Sequence, residues 1–156
     1  MKSGAIQATG LQMMEKLVAM RDGFHELLDL GGTDFAYPDL GVVTTRSYLR
    51  TEGETLSRFI KAYIEGIHVY KTQRAFTISV LGKVLRTDDI RLLGDTYEAY
   101  DKRLSRIPSP TVEGIENVLN VLSVGVPKAR KIRAEDLVDS RFVKELDKSG
   151  FIDRLY

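Results

Sequence analysis

Cysteine and tryptophan are absent from this chain of 156 residues, and histidine occurs only twice. Without cysteine there is no disulfide, no thiolate nucleophile and no cysteine metal site. Two histidines do not supply a histidine-rich metal site either. Charge of one sign is also missing. Lysine and arginine total 23 against 22 aspartates and glutamates, a net charge of +1, which gives no electrostatic argument for nucleic acid or an anionic membrane. The longest stretch without a charge, Ser3 to Met14, has 12 residues, short of the roughly 20 that span a bilayer. Gln7, Thr9, Gly10 and Gln12 interrupt any apolar core there, so the stretch does not read as a signal peptide.

What remains is soluble globular composition, 43% hydrophobic and 29% charged, in a chain long enough for one ordinary domain. Helix signals dominate, with no internal repeat or low-complexity stretch. Gly4–Ala8 is small and apolar enough for a buried strand. A helix is expected from Leu11 to Asp22, with Met14, Leu17 and Val18 on one face and Gly23 as its stop. Phe24–Leu30 reads as a short strand, and "GGTDFAYPDLG" is loop chemistry. The β-branched run Val42-Val43-Thr44-Thr45 then reads as a strand. From Leu56 the period changes to helical: Leu56, Phe59, Ile60, Tyr63, Ile64 and Ile67 share a face. Thr51 and Glu54 fit a capping box for that helix. Thr72, Asp88 and Thr111 are expected to cap three more, and a last helix runs from about Ser140 to Ser149, ending at Gly150. The expectation is therefore an α/β chain, predominantly helical, with about six helices and two or three strands. That is too few strands for a self-sufficient doubly wound sheet.

Chemistry-bearing residues are sparse. His68 lies one step from the apolar stripe and reads as a boundary or surface histidine. His25 has Glu26 and Asp29 nearby but no nucleophile or second histidine to complete a triad or metal set. Tyr63, Tyr70, Tyr97 and Tyr100 recur at helical spacing, which favours helix contacts over an aromatic cage. "KARKIR" places Lys128, Arg130, Lys131 and Arg133 together without interleaved aromatics, and Glu135 and Asp136 follow. It reads as a solvated loop rather than a nucleic-acid patch.

Taken in order, "KSGAIQA", "GVVTTRSYL", "FIKAYIEGIHVYKT", "VLRTDD", "PTVEGIENVL" and "EDLVDSRFVKELDKSGFIDRLY" resemble successive segments of the C-terminal half of ABC-transporter solute-binding proteins. The type is that of nitrate, sulfonate and taurine binding, which includes thiamine-pyrimidine-precursor proteins. The resemblance covers nearly the whole chain. It implies the C-terminal portion of a two-lobe periplasmic-binding-protein-like fold. Residues 1–40 would be a remnant of the second lobe and the interlobe crossing, and 41–156 the C-terminal helical part of the first lobe. It implies a binding component, not an enzyme, for a small anionic or heteroaromatic nutrient. The partners would be an ABC permease and ATPase, the setting periplasmic or extracytoplasmic, with no cofactor. The related thiamine-pyrimidine synthases depend on a cysteine-rich motif and on N-terminal residues that this chain lacks. The alternatives are a fragment of such a thiamine-pyrimidine synthase-like enzyme and a helical self-associating protein from a truncated gene.

One turn carries a site argument. If Gly4–Ala8 is a strand and Leu11 begins a helix, then Thr9, Gly10, Leu11 and Gln12 form a strand-to-helix turn. Ligands of open α/β sheets bind beyond the carboxyl ends of strands, and free amides at a helix start favour polar oxygens. The resemblance places this turn at the interlobe cleft together with the Tyr37–Gly41 crossing, which adds Tyr37 and Asp39. A chain lacking one wall of that cleft is expected to bind weakly alone and to associate as a homo-oligomer.

Overall fold

The computed structural model describes every residue except Leu30, Gly32, Asp34 and Asp39. Seven α-helices follow one another among the described residues: α1 Met13–Arg21, α2 Arg46–Thr51, α3 Gly53–Thr72, α4 Arg74–Leu85, α5 Ile90–Arg103, α6 Val112–Leu122 and α7 Arg141–Lys148. Short 3-10 turns occur at Pro127–Lys131, Ala134–Asp136 and Asp153–Leu155.

The described residues contain no β-strand, which corrects the α/β expectation. Gly4–Ala8 is bend and irregular chain, and the described part of Phe24–Leu30 is irregular with Leu27 84% exposed. Leu30 itself lies outside the described residues. Val42–Thr44 are irregular and Val43 is 92% exposed. An extended segment gains little unless a neighbour pairs with its amides and carbonyls. Thr45 has instead been recruited by a helix: it is extended (φ −83°, ψ 153°), and its hydroxyl accepts the Tyr48 amide at 3.1 Å as the N-cap of α2.

That helix was not expected, and it displaces the capping box. Thr51 ends α2 and donates to the Ser47 carbonyl at 3.3 Å instead of opening α3. Of the three other expected caps, one falls in place, one is a residue away and the third, Thr72, does not cap. Thr111 caps α6 through the Gly114 amide at 3.2 Å. Asp89, one residue beyond the expected Asp88, caps α5 through Leu92 at 2.9 Å. Thr72 closes α3, and α4 begins after Gln73 without a side-chain cap.

Helix ends obey backbone geometry closely. Gly23 (φ +87°) and Gly150 (φ +70°) stop α1 and α7 in left-handed conformation. In each, the following residue's amide returns to the last turn: Phe24 to the Ala19 carbonyl at 3.1 Å, Phe151 to Leu146 at 3.2 Å. This is the Schellman closure, which glycine makes at no steric cost. After α4 the same closure (Thr87 amide to Gly82 carbonyl, 3.1 Å) forces Arg86 to φ +53°, a costlier choice for a residue with a Cβ.

The chain divides into two compact units. Met1–Asp29 and Val69–Leu104 form one, and Leu30–His68 with Ser105–Tyr156 the other. In the first, α1 and α4 both pack on α5, burying Leu93 and Tyr97. Thr77 of α4 is buried and its hydroxyl donates to the Tyr70 carbonyl at 3.3 Å, satisfying an orphan acceptor at the end of α3. In the second, α6 packs on the 3-10 turns that bury Ala129 and Ala134. Leu56, Ile64 and Ile67 of α3, Gly114 of α6, Val143 of α7 and Ile152 are also buried there. Phe59 and Tyr63, on the same apolar stripe, stay exposed.

Candidate functional site

The turn singled out in the sequence is a helix start without a strand before it. Thr9, Gly10 and Leu11 are exposed and irregular, and Gln12 is the N-cap of α1 (φ −75°, ψ 168°) without a side-chain cap bond. Thr9 donates only to the adjacent Gly10 carbonyl, at 3.4 Å. A Cβ added at Gly10 would meet nothing within 4 Å, so no close backbone approach requires glycine there. Tyr37 is 55% exposed with its ring stacked on Phe35 at 6.2 Å. Asp39 lies outside the described residues. Thr9 to Gln12 belong to the first unit and Tyr37 to the second, so neither unit contains both parts of the expected site.

Tyr70 and Tyr97 behave as helix contacts, whereas Tyr63 stays exposed. Tyr70 stacks on Tyr97 at 5.2 Å with the rings 13° apart. The Tyr70 hydroxyl donates to the Tyr97 carbonyl at 3.2 Å, and the Tyr97 hydroxyl to the Lys71 carbonyl at 3.3 Å. Lys71 Nζ in turn donates to the carbonyl and carboxylate of Asp101 at 2.6 and 3.1 Å. The end of α3 is thereby stapled to α5 by alternating side-chain and backbone bonds. Burial, and then the neighbouring Tyr97, push the Tyr70 phenol far above its ordinary range. It stays a neutral donor and is no acid or base at physiological pH.

Beside this staple the first unit carries a cleft of about 270 Å³, lined by Met14, Tyr70, Leu81, Leu85, Thr96, Tyr100 and Leu104. No lining residue carries a charge. Thr96 is 2% exposed, and its Oγ1 has no hydrogen-bond partner. The sequence held the signal: Thr96 stands midway between Leu92 and Tyr100 at four-residue spacing, a polar group inside an apolar stripe. Reading only the apolar members of that stripe passes over it.

The second unit offers a larger, polar cleft of about 440 Å³ lined by Glu116, Asn120, Ser123, Arg130, Arg133 and Glu135 among others. Arg133 is held there by Asp136 through two bonds of 3.0 and 2.7 Å, which raises the guanidinium pKa and lowers that of the carboxylate. The basic segment is thus a 3-10 turn anchored by buried Ala129, with its charge partly answered internally. His25 is exposed, and the His68 ring meets Tyr156 edge-on at 4.8 Å. Among the described residues no group of three or more acidic or histidine side chains could hold a metal ion, and no helix is long and apolar enough to cross a membrane. Compared with known proteins, the chain matches no family model, no curated protein and no solved structure.

Proposed function

We propose that this chain is the helical part of a solute-binding component of an ABC importer, for a small anionic or heteroaromatic nutrient. It would act outside the cytoplasm, in an assembly that covers its exposed apolar residues. The family reading rests on the order of the resembling segments. The observation that carries the rest is surface. The accessible area is 11452 Å² for 17.6 kDa. Two separate compact proteins sharing that mass in proportion to the two units would expose about 9,500 Å². Large apolar side chains are among what is exposed: Val43, Leu27 and Val124 are each more than four-fifths exposed, and Ile90, Leu40 and Val84 more than two-thirds. We read this apolar exposure, present in both units, as surface that an assembly would cover.

Deleting the gene and measuring uptake of labelled nitrate, taurine, alkanesulfonates and pyrimidine precursors tests the importer. Loss of uptake of one class, restored by supplying the gene, supports it; unchanged uptake of all four refutes it. A second reading, a helical protein that assembles only with copies of itself, is favoured by the same surface. It predicts stable self-association with no transport defect.

A further inference from the structure

We propose that the polar cleft of the second unit binds a small zwitterion, an amino acid or a dipeptide, with its ammonium on Glu116 and its carboxylate on Arg130. The proposal does not rest on the importer reading. The walls come first. Glu116, Asn120 and Ser123 follow one another at helical spacing, so a single face of α6 and its C-cap supplies one wall. The turns after α6 supply the other, with Arg130, Arg133 and Glu135. Ala129 and Ala134 anchor that wall: both are buried, and side chains of one carbon let the turns lie close on α6. The enclosed space of about 440 Å³ is of small-molecule size.

The charges decide the guest. Arg133 is already engaged, since its Nε and Nη2 donate to the Asp136 carboxylate. Arg130, Glu116 and Glu135 are not. Among the described residues no opposite charge lies within 4.0 Å of any of the three, although all of them line this one cleft. Cation and carboxylate therefore share a cleft without pairing across it. A molecule carrying both charges can meet both groups at once. A simple anion would also face Glu116 and Glu135, and a simple cation Arg130 and Arg133. The Asn120 side-chain amide, one turn from Glu116 on the same wall, both donates and accepts and can serve either end of the guest. The charged groups are exposed, so each contact is weak and the expected Kd is about millimolar.

Glycine, γ-aminobutyrate and glycylglycine set the two charges progressively further apart. Each is titrated into the full ¹⁵N-labelled chain beside its N-acetyl form, which keeps only the carboxylate, and its amide, which keeps only the ammonium. At least one zwitterion is expected to shift the Asn120 side-chain amide and the Ser123 and Arg130 backbone amides saturably. It is expected to bind about fivefold more tightly than either of its single-charge forms, the upper worth of an exposed ion pair. Glu116→Gln removes the advantage over the N-acetyl form and leaves that over the amide. Arg130→Gln does the reverse. Both side chains are exposed, so neither change threatens the fold; should a variant lose helix by circular dichroism, the wild-type ratios decide. The proposal is overturned if no saturable shift appears up to about 50 mM, far above a millimolar Kd. It is equally overturned if an N-acetyl form matches its zwitterion in the wild type, which would make the cleft a plain anion site, or if a folded variant leaves both ratios unchanged.

Discussion

Ile64 tests whether the buried side of α3 is the core of the second unit. Its side chain is 0% exposed, and Ile64→Ala removes three carbons from it. At about 0.8 kcal/mol per buried methylene the transfer loss is about 2.4 kcal/mol. If roughly 40 Å³ of the vacated space stays open, about 24 cal/mol per Å³ adds about 1 kcal/mol. The expected cost is about 3.4 kcal/mol. Phe59, five residues earlier on the same stripe, is 53% exposed. Phe59→Ala is therefore expected to cost under about 1 kcal/mol in a chain dilute enough not to associate. Urea unfolding followed at 222 nm separates the two. With a slope near 1.2 kcal/mol per molar, typical of a small unit, Ile64→Ala lowers the midpoint of the second unit by about 2.8 M, and Phe59→Ala by less than about 0.8 M. Equal shifts would mean that the two faces of the stripe are buried alike, and would refute this packing.

Three further outcomes follow from local geometry. Arg86→Gly is expected to raise stability by about 0.5–1 kcal/mol, because glycine adopts φ +53° without the Cβ penalty; a loss in thermal unfolding would contradict the strain. Tyr97→Phe removes the bond to the Lys71 carbonyl and is expected to cost about 1 kcal/mol by denaturant midpoint, with no change meaning the staple is idle. The Leu92 amide, and then Arg21, hold the Asp89 carboxyl below its usual range. The folded chain thus prefers the carboxylate: its contribution is fully present above about pH 4 and is lost as pH falls through the lower folded value. Asp89→Asn should flatten the acid limb of the stability curve, and an unchanged limb would remove Asp89 from the account.

Much of the helical layout was legible because its signals are local. Thr111 caps α6 and Gly150 stops α7, although Ser140 makes no side-chain cap bond, and the stripe from Leu56 to Ile67 carries its own period. The helix α2 was not legible: "RSYLRT" has neither a sustained stripe nor a strong stop, and only the hydroxyl of Thr45 opens it. The strands failed for the opposite reason. Propensity at Val42–Thr45 is real, but a strand is a relation between two segments, and no segment among the described residues pairs with this one. The site residues Thr9 to Gln12 were argued from a strand-to-helix turn, so losing the strand removed half of the argument. Thr96 was missed because a threonine on an apolar stripe looks unremarkable until burial and hydrogen bonding are known.

The central claim is that the apolar surface left open by the two units is covered by other protein. Sedimentation velocity of the purified chain between about 1 and 100 μM tests it directly. The account predicts species at multiples of 17.6 kDa whose proportion rises with concentration. A single species at 17.6 kDa, unchanged across that range, would contradict it.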